Sequence, residues 1–350
     1  MTMKRRVFLK TVGGAAGAAA LGVPKIFIAA EPAPKTGALE RRPLGRTGMK
    51  VSVVGFPGLV LTKHDQERCT AALHSAFDRG VNLFDVAPAY GTGDAEIKMG
   101  IGLQGLDRGK YYLTCKTKKR DQAGAQMELE RSLQRLKTDH FDLYQLHHLV
   151  RPAEVTDALG AEGAIEVALK AKEQGKIRFI GFSAHTTKSA LQALKAFKFD
   201  TVMFPINFVE YYLRDFGKEV LTLAGERGAG VIAIKPISWG QWPKEGQHTR
   251  EWWYNSVEEP RQVELAMRFV LSQKGVATVL PTSFLDLLDK TIEAAKVFKP
   301  LDGEAEAKLK RMAANRESLF LAEEQQVALN LKEWTPVYPD SPYEGGSVMG

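Results

Sequence analysis

The stretch Phe84-Asp85-Val86-Ala87-Pro88-Ala89-Tyr90-Gly91 closes a short apolar run with a carboxylate and then, on the turn that follows, a phenol. Lys116 ends the next apolar run, Tyr111–Cys115, and His147 ends the one after, Phe141–Leu146. Asp85 to Lys116 and Lys116 to His147 are each 31 residues, close to the roughly 30 residues of one strand-helix-strand unit. In a closed ring of such units, consecutive strand ends are neighbours. The spacing therefore predicts that Asp85, Tyr90, Lys116 and His147 converge on the C-terminal rim of a barrel, where barrel active sites are built.

The same alternation runs outward in both directions. Strands are predicted near 51–55, 81–85, 111–116, 141–147, 177–183, 201–205, 231–235 and 276–280. Helices fit between them, near 65–79, 94–103, 121–137, 161–174, 187–197, 216–227, 259–273 and 284–298. Gly80, Gly175, Gly228 and Gly275 stand where helices should end and strands begin, and glycine is the natural left-handed helix C-cap. Eight alternating pairs predict an α/β fold, a (β/α)8 TIM barrel with a C-terminal helical extension. A doubly wound open sheet is the weaker alternative, since no Gly-x-Gly-x-x-Gly follows the first strand.

Four segments are expected: a signal-like leader over 1–30, a Pro- and Ala-rich linker over 31–40, the barrel over 41–300, and a helix and tail over 301–350. The tail carries Trp334, Tyr338 and Tyr343, expected to pin the terminus to the barrel wall, with closure over a cleft as the alternative.

The chain has 350 residues, 44% hydrophobic and 25% charged, with a formal charge of +7. Five cations, Lys4, Arg5, Arg6, Lys10 and Lys25, fall in the first thirty residues with no acid, and without them +7 becomes +2. The remainder has no clustered basic face of the kind that grips a phosphate backbone, so no nucleic-acid partner is expected. In the leader, Lys4-Arg5-Arg6-Val7-Phe8-Leu9-Lys10 precedes an uncharged Ala/Gly-rich run from Thr11 to Pro24. That run is too short for a membrane span, which takes about 20 residues. A basic start, a short apolar middle and small residues at Ala29-Ala30 are the parts of an export signal, and the segment resembles a twin-arginine signal. The implied partner is the twin-arginine export machinery, and the implied location is the periplasm, free or tethered by an uncleaved leader. A disordered basic tail or an organellar transit peptide is the alternative. Cys69 and Cys115 are the only cysteines. They form no metal-binding pattern, and strand alternation points Cys115 away from Lys116, toward the helix layer.

A free tyrosine titrates near 10, so Tyr90 is a slow acid unless a cation stabilises its phenolate, as Lys116 beside it would. Asp85 can hold the Lys116 ammonium in place, and His147 can hydrogen-bond an oxygen on which negative charge develops. This set suits adding hydride to a carbonyl while protonating its oxygen.

These residues resemble the aldo/keto reductases over roughly 40–300. Asp-x-Ala-x-x-Tyr-Gly stands at Asp85–Gly91 with Glu96 and Gly100 downstream, Thr-x-Lys at Thr114–Lys116, Asp-Leu-Tyr-x-Leu-His at Asp142–His147, and Gly-x-Ser at Gly181–Ser183. The resemblance implies an NAD(P)H-dependent reductase of aldehyde or ketone carbonyls, with Tyr90 as general acid and Asp85, Lys116 and His147 completing a tetrad. It further implies a cofactor held by Ser183, Asn207, Lys235, Pro236, Ile237 and Ser283. The chain departs from the family pattern in several places. Ala184-His185 follows Ser183 where Asn is common, Met203 stands in place of a Gln, and Ile234 in place of an aromatic. The last loop, Pro281-Thr282-Ser283-Phe284, is followed by Asp286 and Asp289 with only Lys290 cationic. The family favours NADPH, and this loop leaves NADH open. The helix N-terminus near Ser283 can bind phosphate through its free N–H groups.

Three rival readings carry other chemistry. Lys116 or Lys235 could form a Schiff base as in an aldolase. A metal hydrolase on His147, His148, His185 and Asp85 lacks the His-x-His expected on the first strand, and no metal is expected. A cofactor-holding redox sensor with little turnover is the third. Trp239, Trp242, Trp252 and Trp253, in the long loop after the seventh strand, are candidates to line the pocket for a small carbonyl substrate.

Overall fold

A computed structural model describes residues 37–245 and 248–331. The leader, most of the linker and the aromatic tail lie outside the described residues. Within them, eight parallel strands form one sheet in sequential order. They are β3 (Phe56–Pro57), β4 (Leu83–Asp85), β5 (Tyr112–Thr117), β6 (Phe141–Leu149), β7 (Ile177–Ala184), β8 (Thr201–Pro205), β9 (Gly230–Ile234) and β10 (Val276–Leu280). The ring closes between its ends: Gly55 N donates to Val279 O at 2.9 Å and Val279 N to Val53 O at 3.0 Å, around a parallel bridge of Val54 to Val279. Sheet and helices make the (β/α)8 TIM barrel that the alternation predicts.

Helices α1 (Gln66–Asp78), α2 (Asp94–Gly102), α3 (Gln122–Arg135), α5 (Ala164–Glu173), α6 (Thr187–Ala196), α8 (Lys218–Arg227), α9 (Pro260–Leu271) and α10 (Leu285–Lys296) follow the strands. Asp65 and Asp121 cap α1 and α3 by accepting from Arg68 N and Gly124 N, which satisfies first-turn donors that would otherwise be orphaned. Gly80, Gly175, Gly228 and Gly275 all take positive φ, at 97°, 74°, 67° and 88°, in line with the expected left-handed helix ends.

The first expected strand, 51–55, divides in two. Lys50–Ser52 is β2 of an antiparallel hairpin with β1, Arg41–Pro43, and the barrel strand begins only after it. Ser52 makes the break: its N–H donates to Asn82 Oδ1 at 2.7 Å and its hydroxyl to Val54 O at 2.7 Å. The hairpin plugs the bottom of the barrel. Leu44, Met49 and Val51 pack on Leu83, Leu143, Ile232 and Ala277 from the strands, each fully buried aliphatic side chain contributing about 1.5–3 kcal/mol.

Other expectations miss short helices. α4, Pro152–Leu159, precedes α5, with proline at its first position and Glu154 accepting from Val150 N and Arg151 N. α7, Phe208–Arg214, precedes α8 and is capped by Asn207. The charged stretch after 300 is two helices, α11 (Gly303–Ala313) and α12 (Leu321–Ala328). Between them, buried Glu210 of α7 accepts from the Ser318 hydroxyl and Leu319 N, both at 2.6 Å. No helix among the described residues is long and apolar enough to cross a membrane.

Candidate active site

Asp85 ends β4 and Lys116 lies near the end of β5, where pairing of Asp85 with Thr114 places Lys116 one inward-facing step further on. Lys116 Nζ donates to Asp85 Oδ2 at 2.5 Å and to Val86 O at 3.0 Å, while Thr114 Oγ1 donates to Asp85 Oδ1 at 2.6 Å. Lys116 is 0% and Asp85 2% exposed. A buried ion pair is tolerable only when its other hydrogen-bonding positions are also used, as they are here. Cys115 points the other way, its Sγ 3.6 Å from Glu96 Oε1. Both cysteines are buried free thiols.

Tyr90 sits on the turn after β4, its N–H donating to Ala87 O at 3.0 Å. Gly91, Thr92 and Gly93 then take φ of 58°, 51° and 98°, a run that returns the chain sharply into α2. Buried Glu96 anchors that helix by accepting from Arg135 of α3 at 3.0 Å. The family motif residue downstream of Tyr90 thus braces the loop that carries it. The Tyr90 ring centre lies 5.2 Å from Lys116 Nζ and 5.7 Å from the His147 ring, nearly perpendicular at 84°. Burial, and then the charge of Lys116, pushes the His147 imidazole well below the usual range. His147 is therefore neutral at neutral pH, a form that donates one N–H.

One pocket is lined by Asp85, Tyr90 and His147 together with Ser183, His185, Lys235 and Ser283. Gly58 and Leu59 form one wall, and Met203, Ile234 and Leu280 also face it. At Gly58 a Cβ would stand 2.4 Å from the Asp85 backbone carbonyl oxygen, so only glycine lets the chain after β3 approach the Asp85 backbone this closely.

The residues expected around the cofactor divide. Ser183, Lys235 and Ser283 line the pocket. Ser183 Oγ accepts from His148 N at 2.7 Å. Lys235 has φ of 54° and is buried, with Nζ 3.3 Å from His185 Nε2, and burial lowers it to about 7. Asn207, Pro236 and Ile237 are not among the lining residues. Asn207 Oδ1 accepts from Glu210 N at 3.0 Å, and Ile237 belongs to the packed core. Asn207 caps α7, and Ile237 O accepts from Val257 N at 2.9 Å.

That last bond is one of three that fold the long loop after β9 back on itself. Trp239 N donates to Asn255 O at 2.8 Å and Asn255 N to Gly240 O at 3.0 Å. The fold-back carries Trp252, Trp253 and Tyr254 to the pocket wall. Trp239 instead lies under Arg316, whose Cζ is 3.8 Å from its ring centre, and Trp242 stacks on His248 at 4.5 Å.

Sequence reasoning missed two cations beside the last loop. Arg250 donates to Asp286 Oδ1 and Oδ2 at 2.9 and 2.5 Å, and to Glu258 at 2.7 and 3.0 Å. Lys63, from the loop after β3, lies 3.8 Å above the Phe284 ring and 4.5 Å from that of Trp252. Asp286 is thus paired with Arg250, which Glu258 shares, and α10 starts with no side chain capping it. Lys63 stands too far from the last loop in sequence to be read with it, and Arg250 sits in a loop whose course the sequence does not fix.

The chain belongs to the aldo/keto reductase family, whose model matches residues 57–314. With that membership it is an oxidoreductase. It is 28% identical over 271 residues to L-galactose dehydrogenase of Arabidopsis thaliana, covering 69% of this chain and 83% of the relative. It is 28% identical over 202 residues to the aldo-keto reductase YhdN of Bacillus subtilis, covering 53% of this chain and 58% of that one. Among solved structures it is similar to the holo form of an aldo-keto reductase from Bacillus halodurans, with a TM-score of 0.65, 24% identity, and 82% and 99% of the two chains covered. An aldo-keto reductase of Klebsiella pneumoniae in complex with NADPH gives a TM-score of 0.62 at 22% identity, covering 81% and 99%.

Proposed function

We propose that this protein reduces the carbonyl of a small aldehyde or ketone, taking hydride from NADPH and the proton from Tyr90. The observation that carries the proposal is the meeting of Asp85, Tyr90 and His147 at one pocket with Ser183, Lys235 and Ser283, with Lys116 buried behind them against Asp85 and the Tyr90 ring. The chemistry of that donor set fits a dinucleotide. Hydroxyls and a lysine flank the reacting residues, and the uncapped start of α10 offers N–H groups to a phosphate. When bound, the nicotinamide supplies hydride to the carbonyl carbon. His147, held neutral, donates to the carbonyl oxygen and polarises it. Tyr90 delivers its proton to that oxygen, and the nearby Lys116 ammonium stabilises the phenolate left behind. Asp85 keeps the ammonium aimed and offsets its burial.

Two cations support NADPH over NADH. Arg250 pairs with Asp286 at the start of α10, and Lys63 lies over Phe284, the residue before that helix. The test is titration of purified protein with NADPH and NADH, followed by a panel of aldehydes and ketones. Turnover with NADPH and a simple carbonyl is the expected result; no nucleotide binding at all would end the proposal.

A Schiff-base reaction at Lys235 has one supporting observation, since burial lowers this amine to about 7 and so favours the nucleophilic free base. Borohydride trapping of substrate on Lys235 without nicotinamide would establish it. Lys116 is the poorer nucleophile, because Asp85 holds it as the ammonium.

We also propose export through the twin-arginine machinery, supported by Arg5-Arg6 and the uncharged run behind them. Changing both arginines to lysine should trap the protein in the cytoplasm, and undiminished export would contradict it.

A further inference from the structure

His148, His185 and Glu323 bring one potential ligand atom each to within 4.8 Å of one another. They come from three separate elements. His148 is the extra residue where the register of β6 against β7 shifts between Leu146 and Leu149, with φ of 59°. That bulge sets its ring 4.4 Å from the His185 ring at 86°. His185 directly follows β7 and lines the carbonyl pocket. Glu323 arrives on α12, held beside the barrel by Glu210 at Ser318 and Leu319, and by Glu324, which accepts from Thr187 N at 2.6 Å.

We propose that these three side chains form a binding site for a divalent transition-metal ion of the zinc class, at the edge of the carbonyl pocket. The chemistry of the set selects the ion. Two imidazoles and one carboxylate suit zinc, cobalt, nickel or ferrous iron, and do not suit magnesium or calcium, which want oxygen cages. Ligands at 2.0–2.1 Å around a tetrahedral ion stand about 3.4 Å apart, so contraction of each side chain by roughly 1 Å completes the site. His185 is 3% and Glu323 2% exposed, which places most of the ligand set out of competition with water. Three protein ligands leave a coordination position open, the arrangement of reactive rather than purely structural sites. His147, 6.2 Å from the His148 ring centre to centre, would share the pocket with that open position.

Lys235 is the local competitor. Its Nζ is 3.3 Å from His185 Nε2, and Glu323 is the charge acting most strongly on it. Without an ion, Lys235 stands beside the Glu323 carboxylate; with one, the metal takes that place. The proposal stands apart from the identity of the nicotinamide cofactor and from turnover.

The test is calorimetric titration of tag-free, chelator-treated full-length protein with Zn2+, with Co2+ absorption as the spectroscopic readout. One equivalent should bind with micromolar or tighter affinity, and the cobalt bands should show nitrogen and oxygen ligation without thiolate charge transfer. Glu323→Gln and His148→Ala, each checked for fold by circular dichroism, should weaken binding by roughly 100-fold or more, beyond the 10–100-fold typical of second-shell losses. His148 lies nearer the surface, so it serves should the Glu323 variant fail to fold. No binding to the parent protein, thiolate bands, or unchanged affinity in a folded variant would overturn the site.

Discussion

The ammonium of Lys116 stands 2.5 Å from Asp85 Oδ2, with side chains 0% and 3% exposed. Both charges are enclosed, so neither can be removed alone without leaving the other buried and unpaired. Breaking such a pair costs about 3–5 kcal/mol. Asp85→Asn should lower unfolding free energy by about that amount in urea melts. The double variant Asp85→Asn/Lys116→Met should recover part of the loss, and equal losses for single and double variants would show that the pair is not coupled.

Gly100 and Gly225 should respond in opposite ways to alanine. A Cβ at Gly100 would stand 2.2 Å from Arg135 O, whereas at Gly225 nothing lies within 4 Å. Gly100→Ala forces α2 off α3 and should cost about 1–3 kcal/mol. Gly225→Ala, inside α8, should gain up to about 1 kcal/mol from helix propensity. Denaturant midpoints of the two variants give the comparison directly, and shifts of the same sign would contradict the close α2–α3 approach.

Burial pushes Glu210 up to about 7, opposed by its bonds from Ser318 and Leu319 and by Arg214. Between about pH 4.5 and 7 the folded protein keeps a proton that the unfolded chain has released. Stability from this group is therefore full below the lower value and falls as pH rises to the upper one. Glu210→Gln should flatten that part of the stability profile. Parallel urea-midpoint profiles for parent and variant across the window would contradict the assignment.

The barrel was legible because its repeat is long-range and regular: the 31-residue spacing from Asp85 to Lys116 to His147 places three strand ends on one rim. The hairpin was not. Its strands are three residues each, and β1 has no buried residue, so no alternation announces it. Asn207 and Ile237 read as cofactor residues only through the family resemblance, and in the fold Asn207 Oδ1 caps α7 while Ile237 packs in the core. Glu323 lies in a stretch that reads only as charged and helix-prone. Its burial comes from where α12 docks, which no local pattern encodes.

Arg250 should matter more to NADPH than to NADH. Arg250→Ala would leave Asp286 without its guanidinium partner at the start of α10, where the free N–H groups are proposed to meet a cofactor phosphate. Repulsion between exposed charges is worth about 1 kcal/mol, so the NADPH dissociation constant should rise by roughly 5-fold while that for NADH changes little. Fluorescence titration of both nucleotides with the variant measures the ratio, and equal effects would place Arg250 outside nucleotide recognition.

The most direct measurement is the single-turnover rate of carbonyl reduction by Tyr90→Phe, with nucleotide affinity determined on the same preparation. Loss of the proton donor should slow the reaction by about 10²–10⁴ while nucleotide affinity stays at the parent value. Reduction at the parent rate would contradict the assignment of the proton to Tyr90.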